Sequence, residues 1–154
     1  MKIKKNKFDV IVNLLSLLCL VGTAVVLTTL WETIPAKIPG HYNATGTIDK
    51  VTDKNSLIVL LLVGWIIFIG ISIVEKFPQI WNTGIQVTEQ NKEKVYRILK
   101  NMIGTVKLLI ASVFSYLTLQ STTGKNLSPL FLPVFLILLF GSIVFFIFQL
   151  IKEK

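Results

Sequence analysis

The sequence predicts an all-α membrane protein with four transmembrane helices arranged as two hairpins and with both termini cytoplasmic. Three observations carry this: a high apolar content, four long stretches almost free of charge, and a lopsided distribution of lysine. Of the 154 residues, 53% are apolar and 16% charged, and the mean hydropathy is +0.70. A soluble domain carries about a quarter of its residues charged. The stretches are Val10 to Leu30, Ser56 to Val74, Met102 to Leu119 and Leu130 to Ile151. Each approaches or exceeds the roughly 20 residues that span a hydrocarbon core of about 30 Å at about 1.5 Å per residue. A soluble fold buries one such helix, but four leave too few residues to cover them.

Only helices or closed barrels satisfy their backbone groups inside lipid. Barrel strands alternate apolar and polar residues, whereas Leu57 to Val63 is continuously apolar. Helices are therefore expected. The first follows a basic segment, Met1 to Lys7, which has the look of a signal peptide. Its apolar run of about 20 residues exceeds the 7–15 of a cleavable signal. Gly22-Thr23-Ala24 is the nearest approach to a cleavage site, and Leu18 rather than a small residue precedes Cys19. An uncleaved helix is expected. The single Cys19 excludes an intramolecular disulfide and reads as a small hydrophobe.

Cytoplasmic segments gather Lys and Arg. With the N-terminus inside, they hold Lys2, Lys4, Lys5, Lys7, Lys76, Lys92, Lys94, Arg97, Lys100, Lys152 and Lys154. The external loops hold Lys37, Lys50, Lys54 and Lys125. This division, eleven against four, accounts for most of the net charge of +8 as contact with anionic headgroups. No basic face on a soluble module is present, so no nucleic-acid partner is expected. Lys107, one turn inside the third helix, reads as a lysine that snorkels to the headgroups.

In order, the chain reads as a cytoplasmic segment (1–9), a two-helix domain (10–82) with an external loop (31–55), an amphipathic cytoplasmic connector (83–101) and a second transmembrane hairpin (102–154). Phe77-Pro78 and Asn82-Thr83-Gly84 mark turns. Val95, Ile98, Leu99 and Met102 fall at helical spacing, which suits a helix lying in the interface before it enters the membrane. Gly104, Ala111, Ser115 and Thr118, with Asn13, Ser16 and Thr23 on the first helix, read as packing stripes. Six phenylalanines from Phe131 to Phe148 make the fourth helix largely lipid-facing. Asp9 and Glu75 lie only at the membrane edges, which weakens a proton-coupled transporter.

The external loop differs from the rest. Pro35 and Pro39 stiffen its approach, and Asn43 and Gly46 are turn formers. His41 and Asp49 meet if a turn is centred on Ala44 to Gly46. Such a pair serves proton transfer, or holds a divalent ion with Asn43 and Glu32. An ordered turn held by side-chain hydrogen bonds explains the same residues without chemistry. No metal, cofactor or catalytic residue is assigned, since no nucleophile stands in a recognisable frame, Thr45 and Thr47 being merely nearby. Asn43-Ala44-Thr45 matches a glycosylation sequon, but the motif accounts for the Asn differently.

That motif, I-P-x-x-I-P-x-H-Y-N-x-x-G-x-x-D-K from Ile34 to Lys50, closely resembles the signature of a bacterial membrane domain of unknown function, number 1648, the N-terminal part of SdpI-like proteins. The resemblance runs over roughly Val10 to Asn82 and includes Phe77-Pro78. It implies functional or structural roles for Pro35, Pro39, His41, Tyr42, Asn43, Gly46, Asp49 and Lys54. It also implies a bacterial plasma-membrane location and immunity against a secreted killing peptide. The further C-terminal motifs of SdpI-like proteins, Asn-Pro and Gly-Arg, have no counterpart after Asn82. The expected partners are the bilayer and either a secreted peptide or another membrane protein. Three functions compete: peptide immunity or sensing, an accessory subunit of a membrane complex, and a membrane-surface enzyme using His41 and Asp49.

Overall fold

A computed structural model describes residues 3–154. Lys2, counted above among the N-terminal cations, lies outside them. The order is α1 (Lys7–Leu30), β1 (Lys37–Tyr42), β2 (Ile48–Asp53), α2 (Ser56–Val74), α3 (Lys92–Thr122) and α4 (Phe131–Ile151), with single turns of 3₁₀ helix at Trp31–Thr33 and Pro78–Ile80. All four α-helices are long and apolar enough to cross a membrane. By that makeup the chain is a multi-pass membrane protein.

The all-α expectation needs one correction. The loop over 31–55 folds into a two-stranded antiparallel sheet. A segment of this length with no structure of its own is unusual, and here the two arms on either side of the Asn43–Gly46 turn satisfy their backbone groups by pairing with each other.

Helix α3 is the centre of the bundle, packing against α1, α2 and α4, while α1 and α2 touch each other only lightly. The small-residue stripes make the α1–α3 contact possible: Gly104, Ala111, Ser115 and Thr118 are all buried, as are Ser16 and Thr23 on α1. Ser16 and Thr23 hydroxyls donate back to the carbonyls of Val12 and Cys19, so neither is left unpaired against the neighbouring helix. Most of α4 is exposed, Phe140, Phe145 and Phe148 among it, but Phe146 and Leu150 turn inward.

Helix α3 runs unbroken for 31 residues, about 46 Å. The expected interfacial helix and membrane helix are therefore one element. Its early apolar face does not lie on lipid. Val95 and Leu99 are buried with Leu150 of α4, and Trp81, Ile85 and Val87 of the connector close over them.

A charged cluster fastens the end of the bundle where both ends of the described chain meet. Asn6 caps α1 reciprocally with Asp9: the Asp9 N–H donates to Asn6 Oδ1 at 2.9 Å and the Asn6 N–H to Asp9 Oδ2 at 3.0 Å. The same Asp9 carboxylate receives Arg97 at 2.9 Å and Lys100 at 3.1 Å from α3. Arg97 also donates to the Lys4 carbonyl, and Asn91 donates to the Glu153 carbonyl.

Lys107 overturns the snorkelling expectation. It is 1% exposed. Its ammonium donates to Glu75 Oε2 at 2.5 Å, Asn13 Oδ1 at 2.7 Å and Ser72 Oγ at 3.3 Å. Lysine has three N–H donors, and here all three have acceptors. A lone buried charge is costly, so pairing across helices competes well with reaching for the headgroups. The signal lay in depth: Asn13, Ser72, Glu75 and Lys107 all fall near the same end of their apolar stretches.

Candidate functional site: the β-hairpin and its groove

Each arm of the hairpin is tied down locally. Ile34 and Ile38 are buried with Leu27 of α1 and Leu57 of α2, and Trp31 packs on them. Pro39 is buried and Pro35 exposed. Lys54 holds the base: its ammonium donates to the Trp31 carbonyl at 3.2 Å and lies 4.9 Å from the Trp31 ring centroid. Lys54 is thus a structural clamp.

Asn43 organises the turn. Its side-chain oxygen accepts from the Thr45 N–H at 3.0 Å, the Thr47 N–H at 3.0 Å and the Thr45 hydroxyl at 2.8 Å. An oxygen so engaged is a poor metal ligand, and the Thr45 hydroxyl is held in the turn. Gly46 takes φ +83°, and its carbonyl accepts from the Leu127 N–H at 2.8 Å. A Cβ there would meet the Leu127 carbonyl oxygen at 2.7 Å, so the position needs glycine twice over.

The loop between α3 and α4 completes the seat. Asn126 accepts from the Ile48 N–H at 2.9 Å, while the Gln120 amide donates to the Asn126 carbonyl at 3.0 Å. The Tyr42 hydroxyl lies 3.3 Å from that of Ser121. Sequence reasoning did not find Asn126, Ser121 or Leu127, because their contact with the hairpin spans some 78 residues of chain.

His41 and Asp49 do come together. Strand register runs Pro39 to Val51, His41 to Lys50 and Tyr42 to Ile48, leaving Gly40 and Asp49 as extra residues. A Cβ on Gly40 would lie 2.7 Å from Thr52, so glycine lets the strands close over this irregularity. Bulges of this kind re-aim side chains. Here His41 Nδ1 sits 2.6 Å from Asp49 Oδ1, with the side chains 65% and 43% exposed. With Asp49 ionised the proton of the pair sits on Nδ1, which leaves Nε2 for another partner. No hydrogen bond joins Glu32 to the pair among the described residues.

Beneath the hairpin lies a groove of about 740 Å³. His41, Tyr42, Asn43, Lys50 and Thr52 give it a polar rim. Its apolar walls come from Val59, Leu60 and Val63 of α2, Leu117 of α3, and Phe131 and Leu132 of α4.

No curated protein and no solved structure matches the chain. Residues 17–67 match the family model of a domain of unknown function (DUF1648). The match is narrower than Val10 to Asn82, leaving Phe77-Pro78 and Asn82 outside it. It runs from within α1, through the whole β-hairpin and all eight motif residues, into α2, and it is in this stretch that the chain is similar to that domain.

Proposed function

We propose that this is a non-enzymatic recognition protein of the bacterial plasma membrane, giving immunity against, or sensing of, a secreted peptide or envelope molecule through its external hairpin. The observation that carries it is the His41–Asp49 pair. Six of the motif residues have structural work in the hairpin: Pro39, Tyr42, Asn43, Gly46 and Lys54 by the contacts above, and Pro35 by stiffening the approach. The pair bonds only to itself among the described side chains and stays exposed, and its His41 stands at the rim of a large groove with Asp49 behind it. A polar rim over apolar walls suits an amphipathic ligand. Resemblance to SdpI-like proteins supports a secreted peptide as that ligand, and the lysine distribution supports a hairpin facing outward with the charged end cytoplasmic.

The test is a deletion strain challenged with a panel of secreted killing peptides. Sensitivity should rise for at least one of them, and return to the parental level with the native chain but not with His41→Ala/Asp49→Ala expressed to equal membrane levels. Unchanged sensitivity across the panel refutes the proposal.

A further inference from the structure

The charged end of the bundle carries a second concavity, of about 430 Å³, that has no part in the external site. We infer that this crevice between α1 and α2 binds an anionic phospholipid of the inner leaflet, Lys5 and Lys76 holding the headgroup phosphate while an acyl chain lies on Leu14 and Leu17. The crevice exists because α1 and α2 lean on α3 rather than on each other. Its two carboxylates already have cationic partners: Asp9 has Arg97 and Lys100, the latter also lining the crevice, and Glu75 has Lys107. Lys5 and Lys76 line it with no ion-pair partner among the described residues, so the mouth is left positive. Below them Leu14 and Leu17 are 54% and 38% exposed and continue the lining along α1 into the apolar span. A cationic mouth over an apolar wall, at the lysine-rich end of a helical bundle, is complementary to a lipid with a net negative headgroup. The inference shares with the proposed function only the orientation of the chain, and holds whether or not the external groove binds a peptide.

The full chain, purified in an uncharged detergent, tests it by native mass spectrometry and thermal unfolding with phosphatidylglycerol, phosphatidylcholine or glycerol phosphate. Phosphatidylglycerol should be retained and raise the unfolding midpoint, and the other two should not. Lys5→Gln/Lys76→Gln should weaken retention by about 25-fold, at about fivefold per lysine. Lys5→Arg/Lys76→Arg should keep it, as should Lys37→Gln/Lys125→Gln at the opposite end. Equal retention of phosphatidylcholine overturns the inference. So does an equal shift from glycerol phosphate, which would make the site one for free phosphate esters, or an equal loss in the opposite-end variant.

Discussion

Three side-chain settings each make a distinct prediction. His41 and Asp49 form an exposed pair, and exposed pairs contribute little to stability. Replacing either by Ala should change the unfolding free energy by less than about 1 kcal/mol, measured by denaturation in detergent, while the proposed function requires that any protection against a secreted peptide be lost. Gly46 is the opposite case. Gly46→Ala forces an alanine into the left-handed region at about 1–2 kcal/mol and against the Leu127 carbonyl, so the unfolding midpoint should fall whether or not ligand is present. Lys107 is a third kind of residue. Lys107→Met leaves the half-buried Glu75 carboxylate without its partner and should cost up to about 3–5 kcal/mol. Lys107→Met with Glu75→Met removes both charges and should recover most of that loss; a double variant as unstable as the single would show that the pair is not what holds the three helices there.

Among the elements, α3 carries the architecture. A helix that contacts all three others should be reportable by crosslinking, and Cys19 supplies one half of the probe. Its Sγ lies 3.7 Å from Ser112 Oγ across the α1–α3 interface. Ser112→Cys should therefore give a disulfide with Cys19 under a membrane-permeant oxidant, read as a mobility shift on a non-reducing gel, whereas cysteine placed at the outward-facing Ile147 should give none. The hairpin is the element whose existence was only half legible. Its turn was visible in Asn43 and Gly46, and the meeting of His41 with Asp49 followed from that turn. Strand pairing was not, because Pro39 and the bulges at Gly40 and Asp49 break the alternation that marks a strand. Docking of the hairpin on Asn126 and Leu127 depends on contacts distant in sequence, which no local pattern encodes.

For the whole molecule, the helices alternate so that the hairpin and the α3–α4 loop share one end while both ends of the described chain share the other. A phosphatase reporter that works only outside the cytoplasm should be active when fused after Lys50 and inactive when fused after Gly84. Reversed activities would invert the topology and place the His41–Asp49 groove inside. The sequence by itself determined that there are four apolar helices, where they begin and end to within a few residues at most boundaries, and which loop holds the unusual residues. These depend on composition and local spacing, and transfer into lipid acts on each segment separately. Tertiary structure alone decided that α3 stands between the others, that Lys107 turns inward to Glu75 rather than outward to the headgroups, and that a groove opens under the hairpin. Those outcomes depend on which surfaces meet, and a buried charge settles where its partners are, not where its own helix would leave it.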